Sequence, residues 1–332
     1  MPRTPLAPTR RTFLAGSLAT LLTPRATLAQ PPKHARIGLL GSSSEVNFVD
    51  NLRVFRKRMQ ELGWVEGQNL TLEARYPGDR YEQLPELAAE LVKLDVDVIF
   101  AMAVPSIRAA KKATTTIPIV IETLGDAVAT GLVSNLARPG GNVTGVSGFA
   151  PELSGKRLEL LRELSPAITR VAVLANRKNE ATPAVMRSLE TAARQMRIQL
   201  LVTDVATSDG LPAAFDRIVR ERGEAFVVAA DPIIFSPRRT LVELAARHRL
   251  PAVYEYRAFT ELGGLLSYGP DSHERFRQAA DYIDRILRGT RPGDLPVEQP
   301  RTFELVLNLA TARRMALTIP AALRLRADHV IE

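Results

Sequence analysis

The sequence predicts an α/β protein built from two similar lobes, each of them a doubly wound sheet. Short runs rich in β-branched residues alternate with longer segments in which apolar residues recur every three or four positions. Several short runs, such as VDVIFA at 96–101 and IPIVI at 117–121, are apolar on both faces. Parallel strands covered by helices on both sides require that composition. The alternation starts again near residue 171, which indicates a second unit of the same kind.

The first unit contains five predicted strands joined by helical segments. Apolar residues recur at spacings of three and four between Leu52 and Leu62, which predicts a helix after the first strand. Gly63 ends that helix, because glycine tolerates the positive φ common at helix C-termini. Similar patterns predict a helix after the second strand, another from about Ser106, and another after Asp126. The predicted strands are Ala35–Leu40, Leu70–Arg75, Val96–Ala101, Ile117–Ile121 and Val143–Val146.

The second unit repeats this pattern and then departs from it. Helices are predicted between its first four strands, and apolar spacing predicts another helix over Phe276–Leu287. Residues 289–302 are rich in proline, glycine and charge, so we expect an extended crossover there. A short strand, Phe303–Leu307, and a helix from about 309 to 317 follow. The five strands are Val171–Ala175, Gln199–Thr203, Phe226–Ala230, Ala252–Tyr254 and Leu265–Tyr268.

The first 29 residues have the composition of an export signal. Arg10 and Arg11 precede the apolar run Phe13–Leu22, and small residues before Gln30 form a cleavage site for a signal peptidase. The arginine pair matches the twin-arginine export signature. Prolines in this stretch argue against the alternative, an amphipathic N-terminal helix. We therefore expect an exported protein whose mature chain starts near Gln30.

Composition excludes several classes of function. The formal charge of +8 falls to +4 when the four arginines of residues 1–29 are removed, and no basic run with interleaved aromatics occurs. No nucleic-acid partner is therefore expected. The chain contains no cysteine, which excludes disulfides, thiolate metal sites, cysteine nucleophiles and a lipidated N-terminal cysteine. We expect a soluble protein without a lipid anchor, most simply in a bacterial periplasm.

Motifs for catalysis and for cofactor binding are missing from the sequence. The four histidines lack metal-ligand spacing, and there is no phosphate loop and no GxSxG elbow. The glycines of 140–145 precede a strand, whereas a dinucleotide fingerprint lies between a strand and a helix. The sequence thus predicts neither an enzyme nor a cofactor or metal. An enzyme with Asp231 or Glu122 as general base stays open as an alternative.

Candidate ligand contacts follow from the predicted sheets. In doubly wound folds, ligands bind at the carboxyl ends of the strands, where loops from neighbouring units converge. Polar or aromatic residues follow most strands of both units, and they indicate a site for a small molecule. The candidate residues are Ser42, Ser43, Pro105, Ser106, Glu122, Thr123, Asp126, Asn176, Asp231, Tyr254 and Tyr268.

Several of these residues have two possible roles. Ser106 is either a plain helix N-cap or part of a helix N-terminus that holds an anionic group. Asp231 is either a cap or the partner of a ligand ammonium. Glu122 ends an apolar strand, and a buried carboxylate needs a ligand amine or a protein cation beside it. Tyr254 and Tyr268 are either walls of the site or the edge of the core.

Long segments of the mature chain resemble a known family. The sequence is similar to the substrate-binding proteins of ABC transporters, in the group that includes the tryptophan/tyrosine-binding TrpX-like proteins. The resemblance covers essentially the whole mature chain. Its most specific parts are the stretch 59–101, which begins MQELGWVEGQNLTLEARYPGD, the stretch 111–164 with ARPGGNVTGVSGF, GGLLSYGPD at 263–271, and 295–332.

The resemblance implies a type I periplasmic-binding fold, with two Rossmann-like lobes joined by three crossovers. It implies a first lobe of residues 33–147 and 269–298, and a second lobe of residues 148–268 and 299–332. The crossovers would lie near 147–150, 267–271 and 296–302. The two α/β units and the late crossover, taken from the residue patterns alone, agree with this arrangement.

This chain departs from its relatives in the loops expected to bind the ligand. Relatives usually carry a small residue and threonine where this chain has Ala103 and Val104, and alanine or glycine at Glu122 and Thr123. They also have proline at Ala127. A tryptophan or tyrosine ligand is therefore not carried over. The acid at 122 predicts a ligand with a donor or a positive charge there, so Glu122→Ala is expected to weaken binding by more than about tenfold.

The expected function is capture of a small solute by closure of the two lobes. We expect an amino acid or another small carboxylate as ligand, with its identity left open, and an ABC permease in the inner membrane as partner. A monomer is expected, since that is the default for two-lobed binding proteins. An exported receptor that reports its ligand to a signalling partner is the alternative. The sequence does not separate transport from sensing.

Overall fold

The computed structural model describes residues 34–78, 80–148 and 150–332. The predicted export signal at residues 1–29 lies outside them. Within the described part of the chain, no helix is both long enough and apolar enough to cross a membrane.

The first sheet has five parallel strands in the order β2-β1-β3-β4-β5. Strands such as β3 and β4 are buried along their whole length, which explains their continuous apolar sequences. The strands are β1 Ala35–Leu40, β2 Leu70–Arg75, β3 Val98–Met102, β4 Ile119–Thr123 and β5 Val143–Ser147.

The second sheet has seven strands in the order β12-β11-β10-β9-β8-β6-β7. All neighbours run parallel except β10 and β11, which form an antiparallel pair. The strands are β6 Arg170–Ala175, β7 Gln199–Asp204, β8 Ala225–Val228, β9 Ala252–Tyr254, β10 Leu266–Pro270, β11 Phe303–Asn308 and β12 His329–Ile331.

Helices cover both faces of each sheet, as the doubly apolar strands require. The first four are α1 Val49–Glu61, α2 Leu84–Lys93, α3 Ala103–Ala113 and α4 Ala150–Leu164. They are followed by α5 Thr182–Met196, α6 Leu211–Arg220, α7 Pro232–Phe235 and α8 Arg238–Arg247. The last four are α9 Arg257–Glu261, α10 Ser272–Leu287, α11 Leu309–Arg314 and α12 Ala321–Arg326.

Three connections join the two sheets. The chain passes from β5 to α4, from β10 to α10, and from the segment after α10 to β11. Although α10 follows a strand of the second sheet, it packs on the first, where Phe276 meets the ring of Phe100 edge-on at 5.4 Å. The returning segment is fixed to β5, because Ser147 N donates to Glu298 O at 2.9 Å. We call the first sheet, α1–α3, α10 and the loops that join them lobe 1, and the rest lobe 2.

The predicted fold class, two doubly wound lobes joined by three crossovers, is confirmed, but two local predictions are wrong. Ser106 does not begin a helix, because α3 already starts at Ala103, directly after β3. No helix follows Asp126 either. Its carboxylate accepts from Val128 N and Ala129 N and closes a single turn, which Gly131 ends with φ of 67°.

Candidate functional site

A cleft of about 600 Å³ lies between the two lobes. Its lobe 1 wall comes from the carboxyl ends of β1, β3 and β4, from the start of α1 and from the first turn of α10. Its lobe 2 wall comes from α5, α7 and the segment after β9. The cleft therefore lies where a doubly wound fold places its ligand.

Five of the eleven predicted residues line the cleft. Ser42 and Ser43 follow β1, Glu122 and Thr123 end β4, and Asp231 follows β8. All five are buried. The strand-end rule therefore brought together residues from both lobes that are far apart in the sequence.

The loops of lobe 1 are held by local hydrogen bonds that leave one hydroxyl free. Thr123 Oγ1 accepts from Gly125 N at 2.9 Å and fixes the turn after β4. Ser43 Oγ accepts from Asn47 Nδ2 at 3.2 Å. Ser42 Oγ is buried in the cleft wall without a hydrogen-bond partner among the described residues. A buried hydroxyl in that state is available to a ligand.

An ion pair stands at the end of β4. Val120 and Glu122 point to the same face of the sheet, the face covered by α10, and Arg275 in the first turn of α10 contacts the Glu122 carboxylate. The side chain of Glu122 is 8% exposed and that of Arg275 is 2% exposed, and both line the cleft. Burial raises the pKa of Glu122, and the cation of Arg275 opposes that shift. The carboxylate thus has the protein cation that was one of its two expected partners.

Sequence reasoning missed Arg275, although the sequence contains a signal for it. Arg275 is in phase with Ala279, Ile283 and Ile286, residues of the buried face of α10. A charged residue on an apolar helix face needs a counter-charge or a ligand. Its partner, however, lies more than 150 residues earlier, and only the packing of α10 on lobe 1 reveals it.

Asp231 dominates the lobe 2 wall. Its carboxylate caps α7 by accepting from Ile233 N at 2.8 Å, and it also accepts from Asn179 Nδ2 at 2.8 Å and Asn176 Nδ2 at 3.2 Å. The hydroxyl of Tyr81 reaches it from lobe 1 at 3.3 Å. Burial raises the pKa of Asp231, and these hydrogen bonds oppose the shift. Each of these donors is neutral, so Asp231 lacks the counter-charge that Glu122 has.

The lobes are in contact across the cleft. Asn47 Nδ2 donates to Ser236 Oγ at 3.0 Å, and Arg238 donates to the Asn47 side chain. An ion pair between Arg108 and Glu180 spans the lobes as well. Together with the bond from Tyr81 to Asp231, these contacts define a closed arrangement.

The other six predicted residues are placed outside the cleft lining, each for a local reason. Asn176 Nδ2 donates to Asp231. Ser106 lies within α3, and its hydroxyl donates to Gly41 O at 2.7 Å. Tyr254 stacks on Phe259 at 4.6 Å in the core of lobe 2. The remaining three are Pro105, which borders a separate hollow of about 160 Å³, Asp126, which closes its own turn, and Tyr268, which packs near Phe303.

No group of three or more histidine, aspartate or glutamate side chains in the described ranges has a metal-binding arrangement. What the cleft offers is a set of hydrogen-bonding groups. These are an acid held by neutral donors, an ion pair, a free hydroxyl, and the backbone at the start of α3, where Ala103 and Val104 line the wall. Such a set suits a polar small molecule.

Comparison with known proteins places this architecture in a family. A family model described as ABC transporter substrate binding protein matches residues 49–331. A tyrosine-binding protein of Clostridioides difficile (strain R20291) is 25% identical over 276 residues, which cover 83% of this chain and 78% of the relative.

Solved structures agree. A conserved domain protein from Vibrio cholerae is 26% identical, with a TM-score of 0.84, over 90% of this chain and all of that one. An ABC domain from Streptococcus pneumoniae in complex with L-Trp is 23% identical, with a TM-score of 0.83 and the same coverage. The two-lobed fold is that of the type I periplasmic binding proteins. This chain belongs to the family of ABC transporter substrate binding proteins.

Proposed function

We propose that this protein is the substrate-binding component of an ABC importer and works in the periplasm after twin-arginine export. It captures an amino acid or another small carboxylate and presents the closed form to a permease in the inner membrane. The observation that carries this proposal is the closed cleft, whose walls come from both lobes. A ligand that contacts both walls stabilises the closed state more than the open one.

The chemistry of the walls supports an amino-acid head group. The free hydroxyl of Ser42 and the N–H groups at the start of α3 suit a carboxylate, because a helix N-terminus carries a partial positive charge. On the opposite wall, Asp231 is a buried acid with only neutral donors, and it suits an ammonium group. The relatives that bind tyrosine and L-Trp support the same class of ligand.

The three crossovers near 147–150, 267–271 and 296–302 are the proposed hinges. They divide the chain into 33–147 with 269–298, and 148–268 with 299–332. Both lobes keep their own sheets and cores during closure, so motion is concentrated in the connecting segments. The protein acts as a monomer, since each chain carries a complete cleft.

The test is a ligand screen on residues 30–332 with a matched pair of variants. Amino acids, small carboxylates, sugars, nucleosides and polyamines are compared by thermal shift, and hits are measured by calorimetry. A ligand at a hundred times its dissociation constant adds about 2.7 kcal/mol of stability. We expect stabilisation by amino acids, and a loss of affinity of more than about tenfold in Asp231→Asn.

Asparagine keeps an acceptor for the cap on α7 and removes the charge. Its NH₂ replaces the oxygen that accepts from Asn179 and Asn176, so the thermal stability of the variant is measured beside its affinity. Asp209→Asn, an exposed change in the same lobe, serves as control and should leave affinity unchanged. Stabilisation by sugars or nucleosides alone would contradict the proposed ligand class. Unchanged affinity for an amino acid in Asp231→Asn would contradict the role of this acid.

A further inference from the structure

The pair of Glu122 and Arg275 is not needed for an amino-acid head group, yet it occupies the cleft wall. The head-group contacts proposed above are Ser42, the start of α3 and Asp231. The pair is a separate feature, formed by the end of β4 and the first turn of α10. Buried charges are costly, so a pair exposed to a binding cleft calls for a role there.

The pair still has hydrogen-bonding capacity. A guanidinium carries five N–H donors, and one carboxylate cannot accept them all. Arg275 Nη1 and Glu122 Oε1 are the atoms that contact each other, and Arg275 Nε has no hydrogen-bond partner among the described residues. Arg275 Nε therefore still offers a donor to a molecule in the cleft. The Glu122 carboxylate still offers an acceptor, because it has more lone pairs than its contact with Arg275 uses. A ligand group that meets both removes the penalty of leaving them unsatisfied.

Charge decides which group fits. Arg275 and Glu122 are in contact and carry opposite unit charges, so the pair is neutral as a whole. A ligand carboxylate bound there would leave a net negative charge out of water, and an ammonium would leave a positive one. A neutral group that accepts and donates at once leaves no net charge. A carboxamide is the smallest such group: its oxygen accepts from Arg275 and its NH₂ donates to Glu122.

Closure of the lobes completes this part of the wall. The guanidinium carbon of Arg275 lies 5.7 Å from the centre of the Tyr256 ring, which belongs to lobe 2. Tyr256 in turn packs against Phe235 at 5.1 Å. The pair is thus covered from the opposite lobe in this closed arrangement.

We propose that Glu122 and Arg275 form a specificity subsite for a neutral amide-type side chain of an amino-acid ligand, as in glutamine or citrulline. The proposal rests on the proposed function, because the head group must be held by the other wall residues. It refines the expectation from sequence. Glu122 meets a hydrogen-bond donor on the ligand, while its charge is balanced by Arg275 and not by the ligand.

The test compares amino acids of similar length and different charge. Calorimetry on residues 30–332 measures L-glutamine, L-citrulline, L-glutamate, L-lysine and L-methionine. We expect one of the two amide-type ligands to bind at least about tenfold more tightly than the other three, since leaving a buried polar group unpaired costs more than about 1 kcal/mol. Tighter binding of glutamate, lysine or methionine would overturn the proposal.

Two variants separate recognition from stability. Glu122→Gln gives the subsite a net positive charge, so the preference should move toward L-glutamate by more than about tenfold. The double variant Glu122→Leu with Arg275→Met replaces the pair by apolar groups of similar volume. It should keep the fold and lose the amide preference. Unchanged selectivity in both variants would overturn the subsite.

The outcomes also separate the two proposals. If amino acids bind without preference for the amide, the subsite is wrong and the proposed function stands. If none of the five probes binds while another class of solute does, the amino-acid part of the proposed function fails, and the subsite fails with it.

Discussion

Each lobe buries one arginine together with one glutamate. The set in lobe 1 borders the cleft, and the set in lobe 2, called here the inner set, does not. In lobe 1, Arg275 contacts Glu122 directly, and both residues line the cleft. In lobe 2, Arg157 and Glu255 are both fully buried and neither lines it. Arg157 Nε donates to Tyr268 O at 2.8 Å instead. The same pair of residue types therefore occurs once at a binding surface and once inside the protein.

The inner set lies where two connecting segments meet. Arg157 belongs to α4, which follows the first crossover, and Tyr268 belongs to β10, which precedes the second. The backbone is tightly packed there, since a Cβ on Gly269 would lie 2.1 Å from Glu255 O. Burial raises the pKa of Glu255 to about 7, against the effect of Arg157. Buried charge alone thus does not mark a ligand site; contact with the cleft does.

The largest expected effect comes from removing one member of each set. Arg157→Met leaves Glu255 buried without a cation, and we expect the free energy of unfolding to fall by about 3–5 kcal/mol. Arg275→Met should cost less than half as much, because Glu122 borders the cleft and water can reach it. Urea denaturation of both variants measures the difference. An equal or larger loss of unfolding free energy in Arg275→Met would contradict the proposed difference between the two sets.

A second, smaller effect is the pH dependence of the inner set. The folded-state pKa of Glu255 lies above its ordinary value of 4.5, so between about pH 4.5 and 7 the folded protein keeps a proton that the unfolded chain releases. The contribution of Glu255 to stability is therefore present below that window and lost as the pH rises through it.

Glu255→Gln mimics the protonated acid and tests this dependence. We expect it to match the wild type near pH 4 and to exceed it by about 3 kcal/mol at pH 8, in denaturation experiments at both pH values. Glu190→Gln, an exposed change, is the control and should follow the wild type. A constant difference between Glu255→Gln and the wild type at both pH values would contradict the shifted titration.

The smallest expected effect concerns the contacts between the lobes that close the cleft. Arg238→Gln removes the bond from Arg238 to Asn47, which connects the lobes. We expect about 1 kcal/mol less stabilisation of the closed form, with little change in the free energy of unfolding. Small-angle scattering should show a larger mean radius of gyration. The exposed neighbour Arg239→Gln is the control, and equal radii for both variants would contradict this closing role.

The sequence by itself determined the order of the helices and strands, and it placed the site at the carboxyl ends of the strands. Strands apolar on both faces, such as β3 and β4, can only be buried between helices, so their pattern predicted two doubly wound sheets. Because ligands bind at strand ends, the same pattern placed Ser42, Glu122 and Asp231 at the carboxyl edges of the two sheets. These properties depend on local periodicity, which a single sequence contains.

Tertiary structure decided which of these residues face the cleft and what they contact. Tyr254 stands at a strand end but points into the core of lobe 2, and Ser106 lies inside α3, because side-chain direction depends on register and on where a helix begins. The partner of Glu122 comes from α10, which crosses from one sheet to pack on the other. Contacts between segments so distant in the chain arise only when the crossovers bring the lobes together.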